Sequence, residues 1–134
     1  FIFLDNNKRI LLWLRNNEPL KWQYYLPGGR IEKNDTIVQA ATRKAKEELN
    51  IDIDINKLIF VWVYDDMFHN SAFDWISSHF IPITFAYKLS QEEEKNITPD
   101  NQHIDIWFFT YDDNTLHPLL NKRLQDIQSA YNIF

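Results

Sequence analysis

Apolar positions fall into short runs along most of this chain. Phe1–Leu4 and Ile10–Leu14 are continuous apolar stretches of strand length, and the polar run Asp5-Asn6-Asn7-Lys8 between them predicts a hairpin. Further strands are predicted at Leu58–Tyr64, His79–Tyr87 and Ile104–Thr110. The last alternates Ile104, Ile106 and Phe108 on one face, as a half-buried strand does. Two helices are predicted, one over about Thr36–Leu49 with Asp35 or Thr36 placed to cap it, the other over about Lys122–Ile133. Leu120, Leu124, Ile127, Tyr131 and Phe134 recur at spacings of four and three, which makes one apolar stripe. The stripe is expected to pack on the domain's own sheet, with a dimer surface as the alternative. Strands outnumber helices, so the fold class is α+β.

Composition narrows the function. At 134 residues, 45% hydrophobic and 16% aromatic, the chain can build a single core and is read as one domain, 1–134. No linker, repeat or low-complexity tract divides it, and Glu92-Glu93-Glu94-Lys95 reads as a solvated turn or short helix. Cysteine is absent, which excludes disulfides, cysteine nucleophiles and thiolate zinc sites. A net charge of -5 argues against a nucleic-acid-coating role, though placed arginines can still bind phosphates. No apolar run approaches the ~20 residues that span a bilayer, so a cytoplasmic protein without a membrane partner is expected. The chain enters a strand at Phe1 without a methionine, and a preceding segment is expected to be missing.

The two glycines are adjacent, where average usage would give about nine. Pro27-Gly28-Gly29-Arg30 is therefore either an ordinary tight turn or a place where a ligand approaches the backbone. The helix that follows adds a second signal. On a wheel of roughly 100° per residue, Ile37, Val38, Ala41, Ala45 and Leu49 share a buried arc, and Glu48 lies inside it. Glu47 lies outside, one turn after Arg43. An inward carboxylate needs a partner, because unpaired burial costs several kcal/mol or neutralises the group. A buried arginine or a metal ion would serve, and Mg²⁺ typically takes one or two carboxylates and leaves its other positions to water and phosphates.

The stretch Gly29-(five residues)-Asp35-(seven residues)-Arg43-Lys44-Ala45-Lys46-Glu47-Glu48-Leu49-Asn50-Ile51 resembles the box of the Nudix hydrolases, G-x5-E-x7-R-E-U-x-E-E-x-G-U. Asp35 replaces the first Glu, Ala45 the bulky apolar residue, and Asn50 the final Gly, which Asn can imitate in the left-handed region. Lys44 replaces a Glu that in ordinary Nudix pyrophosphatases belongs to the metal-binding, water-activating set, and an ammonium cannot coordinate a cation. The resemblance implies a Nudix fold, a mixed β-sheet sandwiched between α-helices.

Beyond the box, Tyr64-Asp65-Asp66-Met67-Phe68, Glu92-Glu93-Glu94, Pro99-Asp100-Asn101-Gln102-His103, Trp107, Arg15 and Leu26-Pro27-Gly28-Gly29-Arg30 resemble the GDP-mannose mannosyl hydrolase branch. That branch also lacks the water-activating Glu. The resemblance implies hydrolysis of a GDP-linked hexose at the anomeric carbon, with inversion, releasing GDP and the free sugar. It implies that Glu48, the Gln102 amide oxygen and the Gly28 carbonyl hold Mg²⁺, with Mn²⁺ as a substitute and Glu47 as a secondary candidate. His103 is implied as the base that deprotonates water, and Arg15 and Arg30 as the groups that hold the diphosphate. An imidazole suits that role, since its ordinary pKa of about 6.5 lies near operating pH. Asp65 and Asp66 either line the site and bind substrate or end a strand. His69, His79 and His117 are read as structural, and a homodimer is implied.

Two residues depart from the branch. Trp62 stands where it has a His, and Phe80 where it has a Tyr, and both changes remove polar groups. Two alternatives stay open: a Nudix pyrophosphohydrolase that attacks phosphorus with Glu47 and Glu48, and a nucleotide-binding module without turnover.

Overall fold

The computed structural model describes residues 1–73, 75–98 and 105–134. Its main sheet has the strands β1 (Ile2–Leu4), β2 (Ile10–Leu14), β3 (Tyr24–Tyr25), β4 (Ile59–Val63), β7 (Ile83–Lys88) and β8 (Ile106–Phe109). They run β3-β2-β1-β7-β4, and β8 also pairs with β2. β1 lies parallel to β7, with Ile2 opposite Ala86, and the other pairings are antiparallel, so the sheet is mixed. The predicted hairpin joins β1 to β2. Its turn is closed by the buried Asp5, whose carboxylate accepts from the backbone N–H groups of Asn7 at 2.9 Å and Arg9 at 2.8 Å.

Alternation along β1 and β2 sends side chains to two cores, which explains why both read as continuous apolar runs. On one face Ile2, Leu4, Ile10 and Leu12 meet Leu120, Leu124 and Ile127 of α3 (Pro118–Tyr131). On the other, Phe3, Leu11 and Trp13 meet Ala41, Ala45 and Leu49 of α1 (Ile37–Leu49). The sheet is sandwiched between the two long helices, as expected for the fold. The C-terminal stripe is thereby spent on the chain's own sheet, with Leu120, Leu124, Ile127 and Phe134 buried and Tyr131 at the margin. In β8, Ile106 and Phe108 pack toward α1 and Phe109 toward α3.

Three expectations are corrected. The run His79–Tyr87 is two strands, β6 (Ser78–Phe80) and β7, separated at Pro82, which has no N–H for a ladder. β6 leaves the main sheet and pairs with β5 (Asp66–Phe68), a strand too short to carry a periodic signal. α3 begins at Pro118 rather than near Lys122, because proline is preorganised for the first helical position and His117 Nδ1 accepts from the Leu119 N–H at 3.3 Å. Ile37 and Val38, assigned to the buried face of α1, are 45% and 41% exposed, since packing against the sheet begins only at Ala40. The acidic run forms the short helix α2 (Gln91–Asn96), capped by Ser90. No helix among the described residues is long and apolar enough to cross a membrane.

Candidate active site around Glu48 and the Pro27-Gly28 turn

α1 starts and stops where its sequence says it should. Thr36 and Gln39 form a reciprocal capping box, and Asn50 ends the helix in the left-handed region at φ 58° while its N–H donates back to the last turn. Asp35 is therefore released from capping. Its carboxylate meets Arg43 at 2.5 Å, and the same guanidinium reaches the Arg30 carbonyl at 3.3 Å, Glu32 at 3.3 Å and Glu47 at 3.5 Å. Arg43 thus fastens the 30–35 loop to the helix rather than serving only as a surface partner of Glu47. The hydrogen bond from Arg43 holds the Asp35 carboxyl below its ordinary pKa.

The inward acid is where the wheel put it. Glu48 is 9% exposed, on the α1 face that meets the sheet. Its charge acts on Arg15, and it lies near the Phe1 nitrogen, which donates to the Pro27 carbonyl at 2.6 Å. The start of β1, the Pro27-Gly28 turn, the end of β2 and Glu48 are therefore neighbours. Arg15 is half-buried, its Nε donating to the Pro19 carbonyl at 2.7 Å; burial draws its pKa down, and Tyr25, Glu18 and Glu48 oppose that. Arg30 and Gly28 are exposed at the surface of the turn. Glu47 points outward and bonds Lys44 at 3.0 Å, which, ahead of the effects of Arg43, holds its carboxyl below the ordinary value.

Gln102 and His103 lie outside the described residues. The residues that bracket them do not. The Thr98 N–H donates to the carbonyl of Leu49, next to Glu48, at 3.0 Å, and the Asp105 carbonyl accepts from the N–H of Leu14, next to Arg15, at 2.8 Å.

The structure separates the two aspartates of the Tyr-Asp-Asp motif. Asp65 is exposed and bonds His79 at 2.8 Å, which gives that histidine a partner; Asp66 is buried and paired with Arg123 of α3. Asp66 therefore faces the interior and not an open cleft. Arg123 also donates to Tyr25 Oη at 2.8 Å and lies 4.0 Å over the ring of Tyr64. Sequence reasoning missed Arg123, although three residues after Leu120 and one before Leu124 it interrupts the apolar stripe just as Glu48 does on α1. Trp62 is exposed and, with Tyr64, Ile127, Ala130, Tyr131 and Asp126, borders a cavity of about 290 Å³.

Whether a divalent cation suits these residues depends on the donors. No group of three or more His, Cys, Asp or Glu side chains that could hold a metal occurs among the described residues. A single buried carboxylate beside an exposed backbone turn and an arginine does fit Mg²⁺, whose remaining positions are usually water and substrate phosphate.

The family model described as the NUDIX domain matches residues 1–129. The chain belongs to the Nudix family. Nudix hydrolases generally use divalent cations and act on nucleotide derivatives. The low-salt glycan biosynthesis protein Agl8 of Haloferax volcanii is 30% identical over 116 residues, covering 86% of this chain and 71% of that protein. An ADP-ribose pyrophosphatase of Methanocaldococcus jannaschii is 33% identical over 63 residues, 47% of this chain and 37% of that protein. The crystal structure of a MutT protein from Methanosarcina mazei Go1 superposes with a TM-score of 0.75 at 14% identity, covering 96% of this chain and 89% of that one. It shares the Nudix fold.

Proposed function

We propose that this Nudix protein hydrolyses a nucleotide sugar, GDP-mannose or GDP-glucose, at the anomeric carbon. The observation that carries the reading is Glu48, a buried acid acting on Arg15 beside the Pro27-Gly28 turn, with Glu47 turned away and bound to Lys44. One inward carboxylate is enough for an ion that neutralises a leaving diphosphate. It is a poor basis for an attack on phosphorus that needs several acids. The similarity to a glycan biosynthesis protein supports the same reading.

Glu48, the Gly28 carbonyl and the Gln102 amide oxygen would hold Mg²⁺ or Mn²⁺, and the bound ion would stabilise the charge that develops on the β-phosphate. Arg15 and Arg30 hold the diphosphate and offset the same charge, most strongly as the bond from carbon to oxygen lengthens. His103 accepts a proton from water on the opposite side of the sugar. The water oxygen joins the anomeric carbon, the bonding pair leaves with the diphosphate, and the products are GDP and hexose of inverted configuration. Product analysis in ¹⁸O-labelled water tests this. Label in the sugar, with GDP released, supports it; label in phosphate, with GMP and hexose 1-phosphate, overturns it.

The second reading is a pyrophosphohydrolase, favoured by the partial match to a protein named as an ADP-ribose pyrophosphatase. The same experiment decides between them. A homodimer belongs to the first reading, supported by β4, an edge strand that exposes Ile59, Phe60, Trp62 and Val63. Light scattering that returned the mass of one chain at assay concentration would remove the dimer.

A further inference from the structure

The catalytic reading leaves Trp62 unused, together with the cavity it borders where β4 meets the last turns of α3. At about 290 Å³ this cavity lies at the small end of the ~300–1,000 Å³ usual for ligand pockets. Trp62, Tyr64 and Tyr131 give it three rings, and Asp126 gives it a carboxylate. Two of the rings are held in place. The Tyr131 hydroxyl donates to the Val61 carbonyl at 2.7 Å, and the Arg123 guanidinium, already neutralised by Asp66, lies 4.0 Å over the Tyr64 ring. Trp62 is 55% exposed, and among the described residues neither it nor Tyr131 has a cation over its ring. Burial, opposed by Arg123, raises the Tyr64 hydroxyl above its ordinary pKa, and Asp126 adds to the rise, so the field of this carboxylate reaches the cavity. Asp126 pairs with Lys122, one turn back, at 2.8 Å, and the two side chains are 58% and 76% exposed. Such a surface pair contributes little and exchanges readily.

We propose that this cavity binds a small organic cation of the alkylammonium class, with Trp62, Tyr64 and Tyr131 as its walls and Asp126 as the counter-charge. The face of an aromatic ring is the negative end of its quadrupole, and an alkylated ammonium gives up water easily enough to lie against it. A bare metal ion gains nothing comparable, because it needs several oxygen ligands and the lining offers one carboxylate. A neutral apolar ligand would fill the space without using Asp126. An extended peptide laid on the β4 edge would find the Val61 carbonyl already taken by Tyr131, which favours a free small cation over a docking strand. None of the lining residues belongs to the group around Glu48, so the inference stands apart from the function proposed for that site.

The test titrates the whole chain with choline and with 3,3-dimethylbutan-1-ol, a compound of the same shape that has carbon in place of the charged nitrogen. The indole N–H resonance of Trp62, assigned by its loss in Trp62→Phe, is expected to shift saturably with choline. The neutral alcohol should bind about fivefold more weakly. Asp126→Asn should remove that difference, and Trp62→Leu should weaken choline binding by a similar factor, read from saturation transfer to the choline methyl signal. Equal affinity for the two compounds in the wild type overturns the proposal, as does a choline titration without a saturable shift or one unchanged by Asp126→Asn. Much tighter binding of a trimethyllysine peptide than of choline would hand the cavity to a protein partner and likewise overturn it. If circular dichroism shows that Trp62→Leu does not fold, the two compounds and Asp126→Asn decide.

Discussion

Asp66 and Arg123 form an ion pair inside the fold, 5% and 4% exposed, which ties the β5 strand to α3. Arg123 adds the Tyr25 hydroxyl and the Tyr64 ring to the same group. Removing one partner from such a pair leaves the other charge buried and typically costs about 3–5 kcal/mol. Asp66→Ala is therefore expected to lower the urea midpoint strongly. Replacing both residues by apolar side chains of similar volume should recover much of the loss. A double-mutant cycle by chemical denaturation measures both; near-additive single losses would mean that the pair does not couple.

Tyr25, on the other side of Arg123, gives a pH signature. Burial, ahead of the opposing attraction of Arg123, pushes its hydroxyl from the ordinary 10.0 up to about 12. The unfolded chain ionises first. The contribution is whole below pH 10.0 and is lost as pH rises through about 12. Tyr25→Phe should flatten the fall in stability across that alkaline window. Phenolate absorbance at 295 nm would report the same step directly, and a wild-type titration without a late tyrosine would contradict it.

Asp35 and Arg43 give a signature at the acid end. The hydrogen bond from Arg43 lowers the Asp35 pKa below 3.8, so this contribution is present above 3.8 and is lost as pH falls through the lower, folded-state value. Asp35→Asn should make the wild-type and variant midpoints converge as pH falls below 3.8, with the wild type ahead above that value. Proteolysis of the 30–35 loop should rise in the variant even at neutral pH, since Arg43 then loses its shortest anchor.

These pairs show how far the chain could be read without coordinates. The inward position of Glu48 followed from helical spacing alone, because its neighbours Ala45 and Leu49 had to meet the sheet. The same spacing on α3 exposes Arg123 as an anomaly, yet its partner Asp66 is 57 residues away in a strand of three. No local pattern announces such a partner. Long-range pairing also decided the fate of His79–Tyr87, where Pro82 turned one apparent strand into two. Ile37 and Val38 went wrong for a related reason: periodicity gives the face of a helix but not the length over which a neighbour covers it. The path of the Lys44 stem over Gly29 was invisible as well, since it needs the turn and the helix to be seen together.

Glu48→Gln keeps the shape of the side chain and removes its charge. If this acid holds the activating ion, kcat should fall by roughly 10²- to 10³-fold, the range typical of losing one preorganised electrostatic group, and the Mg²⁺ needed for half-maximal rate should rise. A variant with ordinary rate and ordinary Mg²⁺ dependence would take the ion away from Glu48.

His103 supplies the last test, because a base and a binding residue respond differently to removal. A base acts as the proton moves, so His103→Ala should lower kcat by about 10²- to 10⁴-fold with a smaller effect on KM. The acid limb of the wild-type rate profile should follow an imidazole, rising near its ordinary pKa of about 6.5, and it should vanish in the variant. Added imidazole should restore part of the rate in the variant and leave the wild type unaffected, which a purely structural role would not produce. A full rate in His103→Ala across the neutral range would assign the proton to another acceptor.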